Sequence, residues 1–117
     1  MDDSILTSIK KLLGLADEYV CFDTDIIMHI NTALMILHQL GVGPPEGFRI
    51  TDKTSTWNDY LSDDITLESV KTYVGLKVRI LFDPPQNSTV MDSMNREINM
   101  LEWRINTEVE NRKGEST

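Results

Sequence analysis

Few residues in this chain have the types and spacing that chemistry needs. The two histidines, His29 and His38, stand on different helical faces, and neither has a cysteine or carboxylate at metal-ligand spacing. Both read as ordinary surface or boundary histidines. Cys21 is the only cysteine; it lacks a Cys-x-x-Cys partner and an activating base, so it reads as a small buried apolar residue. Asp23-Thr24-Asp25 opens like a calcium loop but lacks the glycine and terminal glutamate that such a loop requires, and helix capping explains the pair better. Asp63-Asp64 is a solvated stretch before a helix. The glycine-rich run Gly41 to Gly47 imitates a phosphate cradle, yet it follows a helix, lacks the Gly-Lys-Ser/Thr ending and loses two N–H donors to Pro44 and Pro45. Asn87-Ser88-Thr89 matches the glycosylation pattern, but with no secretory signal ahead of it the match is incidental. No nucleophile and base can be paired. The expectation is a protein with no catalytic residues, no metal site and no cofactor, and so not an enzyme.

The elements that must position the remaining side chains are helical. Ile5, Leu6, Ile9, Leu12 and Leu13 recur at helical spacing over 3–13, with Lys10 and Lys11 near the negative end and Gly14 placed to close the helix. A second helix over 24–40 has Asp23 as its expected cap and Phe22 with Ile27 as a staple. Its residues Ile26, Ile27, Ile30, Leu34, Leu37 and Leu40, joined by Met28, Met35 and Ile36, make it apolar nearly all round, and it is expected to be the central, most buried helix. A short helical turn is expected near 56–61. A third main helix over 66–82 has Thr66 as cap, Ile65 and Val70 as staple, and Pro84 as its terminator. The fourth, over 88–110, begins at Ser88 and carries the narrow seam Met91, Met94, Ile98, Leu101 and Ile105, with Asp92–Arg96 and Glu108–Arg112 at ion-pair spacing.

These spacings predict an all-α bundle of four main helices forming a single domain over 1–110. Its expected core is Ile9, Leu13, Ile27, Ile30, Leu34, Leu37, Val74, Val78, Leu81, Met94, Ile98 and Leu101. Residues 111–117 hold no apolar side chain and are expected to form a flexible polar tail.

Charge and composition narrow the function. The chain has 117 residues, 40% hydrophobic and 26% charged, which suits one globular domain with its own core. A net charge of −8 repels phosphate backbones and anionic lipid, so free nucleic acid is a poor partner and no membrane association is expected. No apolar stretch reaches membrane-spanning length, and a lone cysteine fits a reducing interior.

The tryptophans point either to a second small core or to a partner surface. Trp103 lies two positions from the Met91–Ile105 seam and so faces away from the core that the seam defines. Aromatic residues exposed on a free subunit anchor interfaces. The candidate interface residues are Trp57, Tyr60, Trp103, Arg104, Arg112 and Lys113.

Several segments together resemble a known family. They are Asp3-Ser4-Ile5-Leu6-Thr7-Ser8-Ile9-Lys10-Lys11-Leu12-Leu13-Gly14, Phe22-Asp23-Thr24-Asp25-Ile26-Ile27-Met28-His29-Ile30-Asn31, and Gln39-Leu40-Gly41-Val42-Gly43-Pro44. To these are added Lys77-Val78-Arg79-Ile80-Leu81-Phe82-Asp83-Pro84-Pro85 and Leu101-Glu102-Trp103-Arg104-Ile105-Asn106. Across nearly the whole chain they resemble the head–tail connector, or head completion adaptor, proteins of long-tailed phages and prophages. The resemblance implies an all-α structural virion protein that assembles as a homo-oligomeric ring under the portal protein. Such a ring extends the DNA channel and provides the attachment platform for the next neck or tail-completion protein. DNA passes through without specific binding. It also implies assembly in the host cytoplasm and residence in the neck of the mature virion. The alternative is a small helical DNA-binding, regulatory or packaging protein of a phage or prophage. That role needs several Arg or Lys on one face, and the densest basic group, Lys71, Lys77 and Arg79, lies on a helix whose other side is expected to be core.

Overall fold

The computed structural model describes residues 4–61 and 64–115, with the side chains of 64–66 and 112–115 outside the description. In chain order the helices are α1 (Ile5–Leu12), α2 (Asp23–Gln39), α3 (Trp57–Tyr60), α4 (Asp64–Phe82) and α5 (Ser88–Glu115). Four are long enough to form the expected all-α bundle, and the described residues contain no strand, only an isolated antiparallel bridge between Ser4 and Thr56. None of the helices among the described residues is long and apolar enough to cross a membrane.

The ends of the helices follow local chemistry. Ser4 caps α1, its side chain accepting from the Thr7 N–H at 3.2 Å, and Gly14 turns the chain out at φ +79°. Thr56 and Asp59 form a reciprocal capping box that lets α3 exist at four residues. Two expected caps are corrected. Asp23 is the first residue of α2, Phe22 stands at the cap position without a side-chain hydrogen bond, and the Asp23 carboxylate turns instead to Lys10. Helix α4 begins at Asp64, which puts Thr66 inside its first turn; the Ile65 half of the expected staple lies outside the described side chains. Helix α5 runs on to Glu115, past the boundary expected at 110.

Helix α4 is the centre of the bundle: it packs against α1, α2 and α5, whereas α2 packs against α4 and α1. This corrects the expectation of α2 as the central helix; its Met28 and Met35, seven residues apart on one face, remain more than half exposed. From α4 the core takes Leu67, Val70, Tyr73, Val74 and Val78; from α1, Ile5, Leu6 and Ile9; from α2, Ile26, Ile30, Ala33, Leu34 and Leu37; from α5, Ile98, Leu101 and Ile105. Leu13 and Ile27 are partly buried against that cluster, and Met94 is half-buried. Leu81 is the expected core residue that faces solvent: the inward position in the last turn of α4 belongs to Phe82, whose ring meets Phe22 edge-on at 5.3 Å.

The segment between α2 and α4 is pinned by side chains. Asn31 of α2 imitates a strand neighbour, donating Nδ2 to the Ile50 carbonyl at 2.9 Å and accepting the Ile50 N–H on Oδ1 at 2.8 Å, so Ile50 is buried. Gly43 adopts φ +90°, and a Cβ there would lie 2.7 Å from Cε1 of Tyr60, so the loop passes against the ring that also packs on Phe48 at 5.1 Å. Tyr73 donates its phenol hydrogen to Glu102 Oε2 at 2.7 Å, joining α4 to α5, and burial together with that carboxylate raises its pKa above the ordinary tyrosine value. Burial raises Tyr60 as well, and its hydroxyl has no hydrogen-bond partner among the described residues.

Candidate interaction site

The expected interface residues separate into two groups. Trp57 and Tyr60 are 3% and 4% exposed, so in the subunit they belong to the core and not to an exposed face. The capping box directs both rings of the short α3 turn inward, Tyr60 onto Phe48 and Trp57 toward α1, where its Nε1 donates to Ser8 Oγ at 2.8 Å. Trp103 is 67% exposed, as its offset from the seam requires, and Arg104 beside it is also exposed. Trp103 and Arg104 line a shallow depression of about 240 Å³ with Ser69, Ile105, Thr107, Glu108 and Asn111. Arg112 and Lys113 lie on the backbone of α5, with their side chains outside the described residues.

A larger concavity, which sequence reading missed, runs between α1 and α4. It encloses about 600 Å³, bounded by Ser8, Lys11, Leu12 and Leu13 on one side and Glu68, Lys71, Thr72, Gly75, Leu76 and Arg79 on the other, with Trp57 and Met94 completing the wall. The α4 residues recur at intervals of three and four, one face of a helix laid along the groove. Gly75 sets its depth. A Cβ at that position would lie 2.9 Å from Leu12 Cδ1, so the missing side chain lets Leu12 lie across α4 while remaining 65% exposed. A glycine in mid-helix costs about 1 kcal/mol relative to alanine, and that cost was the one legible signal of a close approach here.

Electrostatically the groove inverts the protein. Lys11, Lys71 and Arg79 ring an apolar floor with Glu68 as the one acid in the lining, on a chain of net charge −8. The Lys71 ammonium sits 5.8 Å from the centroid of the Trp57 ring, a cation–π contact that holds it at the rim. Arg79 is steadied from the other end by Nε donating to the Asp83 carbonyl at 2.8 Å. The groove has the features of a binding surface, an apolar floor inside a cationic rim.

The other chemical candidates remain apart. Among the described residues no group of three or more His, Cys, Asp or Glu side chains converges on a common point. His29 is half-buried and His38 exposed. Cys21 is exposed, against its expected burial, because the loop that carries it turns its side chains outward. Lys10 and Asp23 form an ion pair, the expected Asp92–Arg96 pair does not form, and the expected Glu108–Arg112 pair involves an arginine side chain outside the described residues. Both Asp92 and Arg96 are solvent-exposed, where such a pair contributes little.

A family model described as phage connector protein matches residues 5–112, from the first turn of α1 into the last turns of α5. No curated protein and no solved structure is significantly similar to the chain.

Proposed function

The chain belongs to the phage connector protein family, and from that premise we propose that it is a head–tail connector that assembles as a closed homo-oligomeric ring beneath the portal. In that role it extends the DNA channel and offers the next neck or tail-completion protein its platform. It would be made in the host cytoplasm and reside in the neck of the virion. The observation that carries this reading is the family match across all the main helices, since connectors are structural proteins. Two features support it. The subunit leaves large apolar side chains exposed at Trp103, Met28, Met35 and Leu12, surface that is available to neighbouring copies. Its net charge of −8 suits a conduit through which DNA must pass without being held. Light scattering of the purified protein, alone and with the portal protein of its own genome, tests the ring. A strictly monomeric species in the portal-bound complex would refute it.

The DNA-binding alternative has one favourable observation, the basic rim of Lys11, Lys71 and Arg79. Three cations beside an acid over an apolar floor match a polypeptide better than a run of phosphates, which calls for an extended basic face. A gel shift at low salt showing tight, salt-sensitive duplex binding would reverse the preference.

A further inference from the structure

The loop between α1 and α2 is held far more firmly than an exposed loop requires. Lys10, 1% exposed, reaches out of α1 to place its ammonium 2.8 Å from the Asp17 carbonyl and 2.9 Å from Asp23 Oδ1. Thr7 Oγ1 donates to Asp17 Oδ1 at 3.0 Å from the adjacent turn. Further on, Tyr19 meets Phe22 edge-on at 5.8 Å and Phe22 meets Phe82 at 5.3 Å, so the loop is braced against α4 as well. Burying a lysine is expensive unless its charge is paired, and here the pairing organises a loop whose own apolar side chains face solvent. Tyr19 is 47% exposed and Val20 is 64% exposed. A rigid apolar knob of this kind has its ordering entropy settled before any partner arrives.

Its charge names the partner. From Leu12 to Phe48 the chain contains no Lys or Arg, and with Asp23 paired to Lys10 the knob still carries Asp17 and Glu18, with Asp25 close behind in sequence. The groove between α1 and α4 has the opposite character, an apolar floor inside the rim of Lys11, Lys71 and Arg79. One copy cannot fill its own groove. Ser8 and Leu12, which face the groove, each lie two residues from the clasping Lys10, about 160° around α1 at 3.6 residues per turn. Knob and groove therefore flank α1 from nearly opposite sides.

The geometry points to a head-to-tail contact between copies of this chain, in which the acidic aromatic knob of residues 17–22 seats in the basic groove of the next copy. The two patches differ, so the contact is heterologous and repeats around a ring when its rotation closes. The inference rests on the connector reading and supplies what that reading lacks, the surfaces through which neighbours meet.

Cys21, exposed on the knob and the sole cysteine, makes the test direct. Wild-type protein is mixed with a mass-tagged Cys21→Ser/Thr72→Cys variant, whose thiol lies in the groove, and the mixture is mildly oxidised with and without portal. Disulfides form only where Cα atoms approach within about 7 Å, so seated knobs give a mixed dimer in the mixture well above the level of homodimer that either chain forms alone. Adding Lys71→Glu to the groove chain should abolish the mixed dimer, and Glu18→Lys on the knob chain should restore it. Circular dichroism melts of each variant check that it is folded. A control chain carrying Cys21→Ser/Gln39→Cys, its thiol at an exposed position outside the groove, should not cross-link above background. If light scattering shows an oligomer but the groove thiol cross-links no better than that control, the knob–groove contact is wrong and the connector reading survives. If no oligomer forms alone or on portal, both fall.

Discussion

Trp57 donates its indole hydrogen to Ser8 Oγ at 2.8 Å across 49 residues of chain, tying the short α3 turn to the first helix. The neighbouring backbone pairing, Ile5 N–H to the Ser55 carbonyl at 3.0 Å, makes the same junction from the other side. The segment before α4, polar and irregular as a string of residues, is therefore part of the subunit's frame and forms one wall of the groove.

The two tryptophans should separate cleanly on mutation. Trp57→Ala removes a buried indole and is expected to cost about 3–5 kcal/mol. Trp103→Ala removes an exposed one and should change stability by no more than about 0.5 kcal/mol. Urea denaturation of both variants checks this, and iodide should quench Trp103 fluorescence while sparing Trp57.

The helical scaffold was legible because periodicity reports which face is apolar, and that sufficed for α1, α2, α4 and α5 and for the inward seam Ile98, Leu101 and Ile105. The outward turn of Trp103 followed from the same geometry. What periodicity cannot report is which apolar face finds a partner: Met28, Met35 and Leu81 look like core residues in sequence and are exposed in the subunit. Equally silent were contacts made by polar atoms across long separations. Asn31 satisfying both backbone groups of Ile50, Lys10 folding back to Asp17 and Asp23, and Gly75 admitting Leu12 each depend on a tertiary neighbour that local propensity does not encode. The groove is built from such contacts, which is why sequence reading passed over it.

The Lys10 clasp should show itself in stability. Lys10→Met keeps the apolar stem but removes the ammonium, stranding the Asp23 carboxylate and the Asp17 carbonyl. Because the Asp23 side chain is 26% exposed, water recovers part of the loss, and the expected cost is about 1–3 kcal/mol, below the range for a fully buried pair. Chemical denaturation reads the cost, and faster amide exchange across residues 17–22 would show the loop released.

Alkaline pH should weaken the fold through two buried tyrosines. Each has its folded pKa raised above the unfolded value near 10, so the folded state keeps a proton that the unfolded state releases. Their contribution is complete below about pH 10 and is lost as pH climbs from there toward the folded pKa. Tyr73→Phe and Tyr60→Phe should each flatten the alkaline fall in stability. At neutral pH they should diverge. Tyr73→Phe forfeits the bond to the half-exposed Glu102 and should cost about 1 kcal/mol, whereas Tyr60→Phe removes a buried hydroxyl without a described partner and should be neutral or stabilising. Thermal melts from pH 7 to 11 check both signs.

The C-terminal residues offer a separate test of docking. Val109 packs against the core, but residues 111–117 have no apolar side chain to bury, and Gly114 weakens the helical end. Truncation after Glu110 should leave stability within about 0.5 kcal/mol of the full chain while weakening attachment to the portal. Normal attachment by the truncated protein would remove the tail from docking, and loss of a cooperative melt would make it part of the fold.

The central claim, that this chain is a connector, is tested most directly by co-sedimentation with the portal protein from its own genome. The expected result is saturable binding with a fixed number of copies per portal, weakened by charge reversal at Lys71. A purified, folded chain that stays in the supernatant at every portal concentration would contradict it.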